Sequence, residues 1–380
     1  MSSIVIHESY NIDYQPPAQL AFHFAKSIDT VLVNRGSRII DLKKIPKSSR
    51  IEKNRLLIRY KPIHVPQRGS LGCFTKPIAD RLWRNEIGGL LLGLSPSMVL
   101  FDRPDQHSKV GLLGEKSSVY YAHCDYTVDI IGRRDEKVAA VERMMLRKVD
   151  LVLAASEHLA ERFRGAGAKR VVHFPCAYNA DLFDGTLNYP EPSALAAIPR
   201  SRLLFCGYIS GRVDFEGLLL TAKARPDWQF VFVGQISEGL EAELVASDRA
   251  RDLFSQLRSL ANVHYLGRFS LAEIPPFMAA CDIGLVPYCL SEFTRSSSPI
   301  KAFEYLAMGL PVVTTEIPES TSLGKQVFVI KNKEGYEGAI ENALTTTNDQ
   351  VCCEMSRAIA SQHSVAARAQ NLLELVLAEA

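Results

Sequence analysis

The residues able to do chemistry crowd into one stretch, Ser296-Ser-Ser-Pro-Ile-Lys-Ala-Phe-Glu-Tyr-Leu-Ala-Met-Gly-Leu-Pro-Val-Val313. Three serines open it, Lys301 and Glu304 follow three residues apart, and an apolar run closes it. Ser298 suits an N-cap, Pro299 the first helical position, Gly309 the stop, and Pro311 blocks continuation, so a helix of about ten residues is predicted. Its N-terminus would aim unpaired N–H groups and the positive end of the helix dipole at whatever lies beside the Ser296–Ser298 turn. That environment favours a phosphate group, and Lys301 adds a cation one turn in. A solvated helix glutamate would account for Glu304 taken alone.

A second group lies in Tyr120-Tyr-Ala-His-Cys-Asp-Tyr126. It ends a buried strand with His123 and Asp125 two residues apart, so alternation would put both side chains on one face at the carboxyl edge. An ordinary polar strand end is the competing reading. Gly207, ending another apolar run, would let a backbone approach a phosphate without a Cβ, although a plain turn needs a glycine equally.

The elements that must position these groups follow an α/β rhythm. In the first half, strands are predicted near Ser3–Glu8, Thr30–Asn34, Leu56–Tyr60, Met98–Asp102, Ser118–His123, Leu151–Ala155 and Arg170–Phe174. Helical patterns intervene, among them Pro17–Ser27, Pro77–Leu92, Glu136–Val149 and Glu157–Ala166. Proline-rich residues 185–201 read as a linker. A second series then begins, with strands at Arg202–Cys206, Gln229–Val233, Val263–Leu266, Ile283–Val286, Pro311–Thr315 and Val327–Ile330. The predicted fold is α/β with two Rossmann-like domains, 1–184 and 202–363, and a cleft between them. A last helix, 364–380, is expected to return to the first domain.

The segment Pro299–Val313 is similar to the sugar-nucleotide segment of GT-B glycosyltransferases of the broad group 1 type. Phe205-Cys-Gly-Tyr-Ile-Ser-Gly-Arg-Val-Asp-Phe215 resembles that family's first donor-domain strand and loop. Phe174-Pro-Cys-Ala-Tyr-Asn-Ala-Asp-Leu-Phe183 resembles its linker entry, with Cys176 and Ala177 replacing the usual asparagine and glycine. The nearest look is to bacterial exopolysaccharide enzymes of the glucuronosyltransferase kind. The resemblance implies transfer of a sugar from a nucleotide donor, with Glu304 on the ribose hydroxyls and Lys301 near the nucleotide. It implies a diphosphate met by Gly207, Arg212, Arg295, Ser297 and Ser298, with no metal or other cofactor required. The base would lie at Gly234–Ser237 and Arg268–Ser270 by analogy; uridine is preferred, and guanine stays open.

A subset of the family ends the strand before Asp125 with an acidic pair. Here Cys124 takes the first position and Asp125 keeps the second, so Asp125 is expected as general base, its pKa raised by burial, with His123 the alternative. Retaining members carry a second glutamate eight positions before the one matching Glu304. Ser296 stands there, which favours inversion at the anomeric carbon.

Composition sets the rest. The chain has 380 residues, 47% of them hydrophobic, a mean hydropathy of zero and a net charge of +2, as in a globular protein. No apolar run is long enough for a bilayer span and no leader pattern is read at the N-terminus, so a cytoplasmic protein is expected. The eight cysteines show no CxxC pair or zinc spacing and are read as reduced thiols. Residues 1–100 carry about 15 basic against about 7 acidic residues, roughly +8 against roughly −6 for the remainder. Lys43, Lys44, Lys47, Arg50 and Arg68 belong to this basic set. So do Lys76, Arg81 and Arg84 within Gly69–Leu94, where Phe74, Ile78, Leu82 and Trp83 recur at near-helical spacing. An anionic membrane at the inner face of the cell is the expected partner, beside the nucleotide-sugar donor and a polyprenyl-diphosphate-linked glycan acceptor. No nucleic-acid motif is found. Two alternatives stand: a GDP-mannose-dependent, retaining transferase, and a non-catalytic sugar-nucleotide or glycan binder of the same fold.

Overall fold

The computed structural model describes residues 4–7, 15–33, 37–38, 51–54, 57–60, 63–64, 72–130, 132–237, 248–332, 335–347 and 349–378. Lys43, Lys44, Lys47, Arg50 and Arg68 lie outside these, as do the side chains of Phe74 and Lys76. The chain divides into two compact units. One comprises Met1–Thr127, Arg134–Phe174 and Val365–Ala380; the other comprises Val128–Arg133 and Pro175–Ser364.

The first unit is built on an eight-stranded sheet. Its strands are β1 (Ile4–His7), β2 (Thr30–Val33), β4 (Ile51–Asn54), β5 (Leu57–Tyr60), β7 (Met98–Phe101), β8 (Ser117–Ala122), β9 (Leu151–Ala154) and β10 (Val171–His173). Short β3 (Ser37–Arg38) and β6 (Ile63–His64) pair separately. The sheet order is β10-β9-β8-β7-β1-β2-β5-β4, parallel throughout except for the β4–β5 hairpin at one edge. Every residue of β2, β7, β8 and β9 is buried, which is why these strands read as unbroken apolar runs instead of alternating. The helices are α1 (Pro16–Phe24), α2 (Gly72–Leu90), α3 (Glu136–Lys148), α4 (Glu157–Gly165) and the closing α13 (Val365–Leu377), which packs on α1. Asp135 caps α3 and Ser156 caps α4 through side-chain oxygens.

Helix α2 starts at Gly72, five residues before the expected Pro77, and keeps that proline inside. Its predicted apolar stripe splits. Trp83 enters the core, where Ile87 and Leu91, outside that stripe, join it, whereas Ile78 and Leu82 face solvent beside exposed Arg81 and Arg84. Just after the helix, Leu92 adopts a φ of 53°, a left-handed backbone rare for leucine, and stands 87% exposed. Among the described residues no helix is long and apolar enough to cross a membrane.

The second unit has six parallel strands, β11 (Arg202–Cys206), β12 (Gln229–Val233), β13 (Val263–Gly267), β14 (Ile283–Val286), β15 (Val312–Thr315) and β16 (Val327–Ile330). Their order is β13-β12-β11-β14-β15-β16. Strand order reverses between β11 and β14, so the carboxyl ends of these two neighbours form the topological switch point at which open α/β sheets bind ligands. The helices are α5 (Phe215–Ala224), α6 (Asp248–Arg258), α7 (Ile274–Ala279), α8 (Glu292–Arg295), α9 (Ile300–Ala307), α10 (Pro318–Thr321), α11 (Tyr336–Leu344) and α12 (Gln350–Ser361).

The division between units falls after Phe174 rather than after 184, and 185–201 is no free linker. Leu195 and Ile198 sit in the second core with Phe183. The Arg202 guanidinium donates to the carbonyls of Leu195 (3.0 Å) and Ile198 (2.9 Å), which ties the proline-rich segment to the start of β11. The final segment belongs to the first unit from Val365.

Candidate functional site

The switch point of the second unit gathers most of the candidate residues. Strand β11 ends at Gly207, whose φ of 142° suits glycine and where a Cβ would lie 2.7 Å from the Lys301 Nζ. On the neighbouring strand end, a Cβ on Gly234 would meet the Gly207 carbonyl at 1.8 Å, so these two turns abut through bare backbone. Loops beyond β11, β12 and β13 are tied together: Ile209 N–H donates to the Gln235 carbonyl (2.9 Å), Gly234 N–H to that of Gly267 (2.8 Å), and Arg268 Nη1 to Gln235 Oε1 (3.2 Å). The segments expected to hold a base, 234–237 and 268–270, are thereby adjacent.

Helix α9 is fixed against β11 by Tyr305. Its hydroxyl donates to the Leu204 carbonyl (3.1 Å) and accepts the Cys206 N–H (2.8 Å). Only a glycine at 284 leaves room for that ring, since a Cβ there would lie 2.2 Å from it. Gly309, at a φ of 82°, ends the helix as expected.

The start of the helix corrects the sequence reading. Pro299, not Ser298, is the N-cap, no side chain caps the helix, and it spans eight residues. Ser298 Oγ instead accepts the N–H of Cys176 (3.1 Å), and Ser297 Oγ donates to the Phe293 carbonyl (2.7 Å). Ser296 is wholly buried, its Oγ without a partner. The Ser297 and Ser298 hydroxyls bond to backbone outside α9, and the first N–H groups of α9 are left without a side-chain acceptor. Arg295, on short α8, is exposed.

Lys301 is the central observation. Its side chain belongs to a residue only 9% exposed, with Nζ 4.1 Å from the centroid of Phe205 and 4.9 Å from that of Tyr288. Nζ donates to Tyr288 Oη at 2.5 Å, and among the described residues no carboxylate forms an ion pair with it. Arg212 stacks on the same phenol, its Cζ 4.7 Å from the centroid and its Nε buried without a hydrogen-bond partner. Burial alone would raise the Tyr288 pKa, but Arg212 and Lys301 outweigh it and hold the phenol below the ordinary tyrosine value. Glu304, one turn beyond Lys301 and half-buried, is pushed up to about 7 by burial, with Lys301 pulling the other way. Tyr288 was not among the residues singled out from sequence; Pro287-Tyr288 after an apolar strand looks like core. Its neighbour Cys289 is the most exposed thiol among the described residues, whereas burial pushes Cys206 and Cys281 up to about 12.

In the first unit, His123 and Asp125 do not share a face, because β8 ends at Ala122 and its alternation ends there too. Asp125 turns inward and is 2% exposed. Its Oδ1 accepts from Thr127 N–H (2.8 Å), Thr127 Oγ1 (2.6 Å) and Arg162 Nη2 (3.2 Å). Arg162 also binds buried Glu142 (2.6 Å), whose pKa burial raises while Arg162 opposes it, and Tyr120 donates to the same carboxylate (3.3 Å). The network pins the turn after β8 to α3 and α4. His123 is half-buried, with Nε2 2.8 Å from Tyr126 Oη. Burial first, and then Arg103, lower its pKa to about 4, so the ring is neutral near pH 7. A cavity of about 340 Å³ in this unit, between β10 and α13, contains none of these residues.

Residues 204–346 match the family described as Glycosyl transferases group 1. The chain is 29% identical over 235 residues to the "Putative teichuronic acid biosynthesis glycosyltransferase TuaH" of Bacillus subtilis (strain 168), across 60% of this chain and 56% of that protein. It thus spans a little over half the length of that relative. Among solved structures, sucrose-phosphate synthase from Thermosynechococcus elongatus superposes with a TM-score of 0.71 at 15% identity, covering 100% of this chain and 99% of the other. Anabaena Alr3699/HepE, solved in complex with UDP and glucose, gives 0.67 at 18% identity with both chains fully covered. These likenesses show the fold, which is GT-B.

Replacing Arg162 by Met should leave two buried carboxylates facing each other and cost about 3–5 kcal/mol. Urea denaturation at pH 7.5 measures the loss. A change below about 1 kcal/mol would show that the network does not hold the turn.

Proposed function

We propose that this chain, whose residues 204–346 form a Glycosyl transferases group 1 domain, is a glycosyltransferase that moves a sugar from a UDP-sugar to a lipid-linked glycan with inversion. The observation that carries the reading is Lys301: a buried amine at the uncapped start of a helix, bonded to a phenol and in ion-pair contact with no carboxylate among the described residues, is a seat for an anion. A donor's diphosphate supplies that anion. Arg212 joins Lys301 in neutralising it, and the α9 N–H groups supply donors along the helix axis, so charge developing on the leaving diphosphate meets groups already in place. Gly207 admits the phosphate to the backbone, and Glu304 accepts from the ribose hydroxyls. These groups suffice for the leaving-group charge in this proposal without a metal. Uridine is favoured because UDP is bound in the structure of Anabaena Alr3699/HepE.

For inversion, the acceptor hydroxyl must lose a proton as it attacks. Of the two groups after β8, His123 takes this part: it is neutral and half-buried, whereas Asp125 Oδ1 is committed to three donors. Ser296 supports a single displacement, because the position where retaining relatives carry a carboxylate holds a buried hydroxyl. The lipid-linked acceptor rests on the surface of the first unit. Ile78, Leu82, Leu92 and Leu94 are exposed apolar side chains beside Arg81 and Arg84, a combination suited to an anionic bilayer interface.

Three outcomes test this reading. UDP should bind more tightly as pH rises through about 7, because Glu304 must be ionised to accept from both ribose hydroxyls. The affinity ratio of wild type to Glu304→Gln, measured by calorimetry between pH 6 and 8.5, should grow with pH. A constant ratio would remove Glu304 from the ribose. His123→Gln should lower kcat by about 10²–10⁴-fold without changing UDP affinity, and the wild-type acid limb should fall near pH 4 instead of near 6.5. Loss of turnover in folded Asp125→Asn, with His123→Gln active, would transfer the role to Asp125. Exchanging Arg81, Leu82 and Leu92 for serine should release the protein from phosphatidylglycerol vesicles in a sedimentation assay with UDP binding intact. Unaltered sedimentation would end the membrane assignment.

A further inference from the structure

Tyr288 lies where three independent pieces of the second unit meet. It follows β14 at the switch point. An isolated antiparallel bridge joins it to Val213, flanked by Asp214 N–H to the Pro287 carbonyl (2.8 Å) and Cys289 N–H to the Arg212 carbonyl (2.8 Å). Thr315 Oγ1, at the end of β15, donates to the Tyr288 carbonyl (2.7 Å). The ring packs edge-on to Phe205 at 6.4 Å. The backbone of this residue is therefore held from both sides, and its hydroxyl has a fixed address.

That address is between two cations. Arg212 comes from the loop after β11 and Lys301 from α9, and both converge on the Tyr288 ring, at 4.7 and 4.9 Å from its centroid. Two like charges drawn together in a poorly solvated place repel, and the pair persists only if something between them carries opposing charge density. The ring face answers the guanidinium and the phenol oxygen answers the ammonium at 2.5 Å. Lys301 is a long, flexible side chain that would otherwise swing away from Gly207.

We propose that Tyr288 is a positioning residue for the diphosphate: before a donor binds, its hydroxyl keeps the Lys301 amine aimed at the Gly207 turn, as a stand-in for the phosphate oxygen that later takes its place. The proposal rests on the donor-site reading above. On binding, the phosphate accepts from Lys301 and Arg212, and the phenol gives up its share of the lysine without moving its backbone. The lowered pKa of the phenol agrees with an oxygen placed to take up negative charge density.

Tyr288→Phe removes the hydroxyl and keeps the ring, its packing and every backbone bond. Affinities of wild type and variant are measured by calorimetry for UDP and for uridine, with GDP and guanosine run alongside. The expected result is a loss of about tenfold for the nucleoside diphosphate with nucleoside affinity unchanged within about twofold, because only the phosphates engage Lys301. An unchanged diphosphate affinity overturns the proposal. So does an equal loss for nucleoside and diphosphate, which would mark Tyr288 as packing alone. Failure of wild type to bind either diphosphate overturns the donor-site reading and this inference together, whereas the first two outcomes leave the donor site standing.

Discussion

A buried lysine whose amine contacts a phenol, and no carboxylate among the described residues, is the constraint around which the second unit is arranged. Moving such a charge out of water is costly unless something answers it. Lys301 has a phenol oxygen and two aromatic faces, which hold a cation less strongly than a carboxylate would. A carboxylate partner would satisfy the lysine permanently and close the place to an incoming anion. The surrounding choices follow from this incompleteness. Glycine at 207 keeps the approach to Nζ clear, and the serines ahead of α9 spend their hydroxyls on Cys176 and Phe293 instead of on the helix. Positive potential is thereby concentrated at one strand-end turn.

The first unit treats charge in the opposite way. Arg162 is paired through its two terminal nitrogens, with Glu142 on one side and Asp125 on the other, and the result is rigidity. The turn after β8 carries His123 on a frame that two helices and a buried carboxylate pair hold still. A neutral imidazole on a fixed turn can serve as a proton acceptor, and a carboxylate saturated with donors serves better as part of the frame.

Much of the architecture could be read from the chain because buried parallel strands announce themselves as apolar runs. All six strands of the second sheet and the seven expected in the first appear within one or two residues of their predicted places. The edge hairpin partner β4, Ile51-Glu-Lys-Asn54, escaped, since three of its four residues are polar or charged and an edge strand need not be apolar. The site was legible where the chain is local: Lys301, Glu304 and Gly309 follow from helix spacing and stop signals. What failed were contacts made across long stretches of sequence. Ser298 looked like a cap because its partner, Cys176, stands 122 residues away. Asp125 looked like a free acid because Arg162 is 37 residues on, and nothing in Pro287-Tyr288 hints that two cations from other segments would meet there.

Cys289 gives the second unit a built-in handle. Its thiol is exposed and follows directly the residue on which both cations converge, while desolvation pushes the thiols of half-buried Cys206 and buried Cys281 up to about 12 and leaves them unreactive. A maleimide fluorophore would therefore couple preferentially beside the strand-end turn. Occupancy of that turn could then be followed as a change in emission, in real time and with the natural sequence otherwise intact.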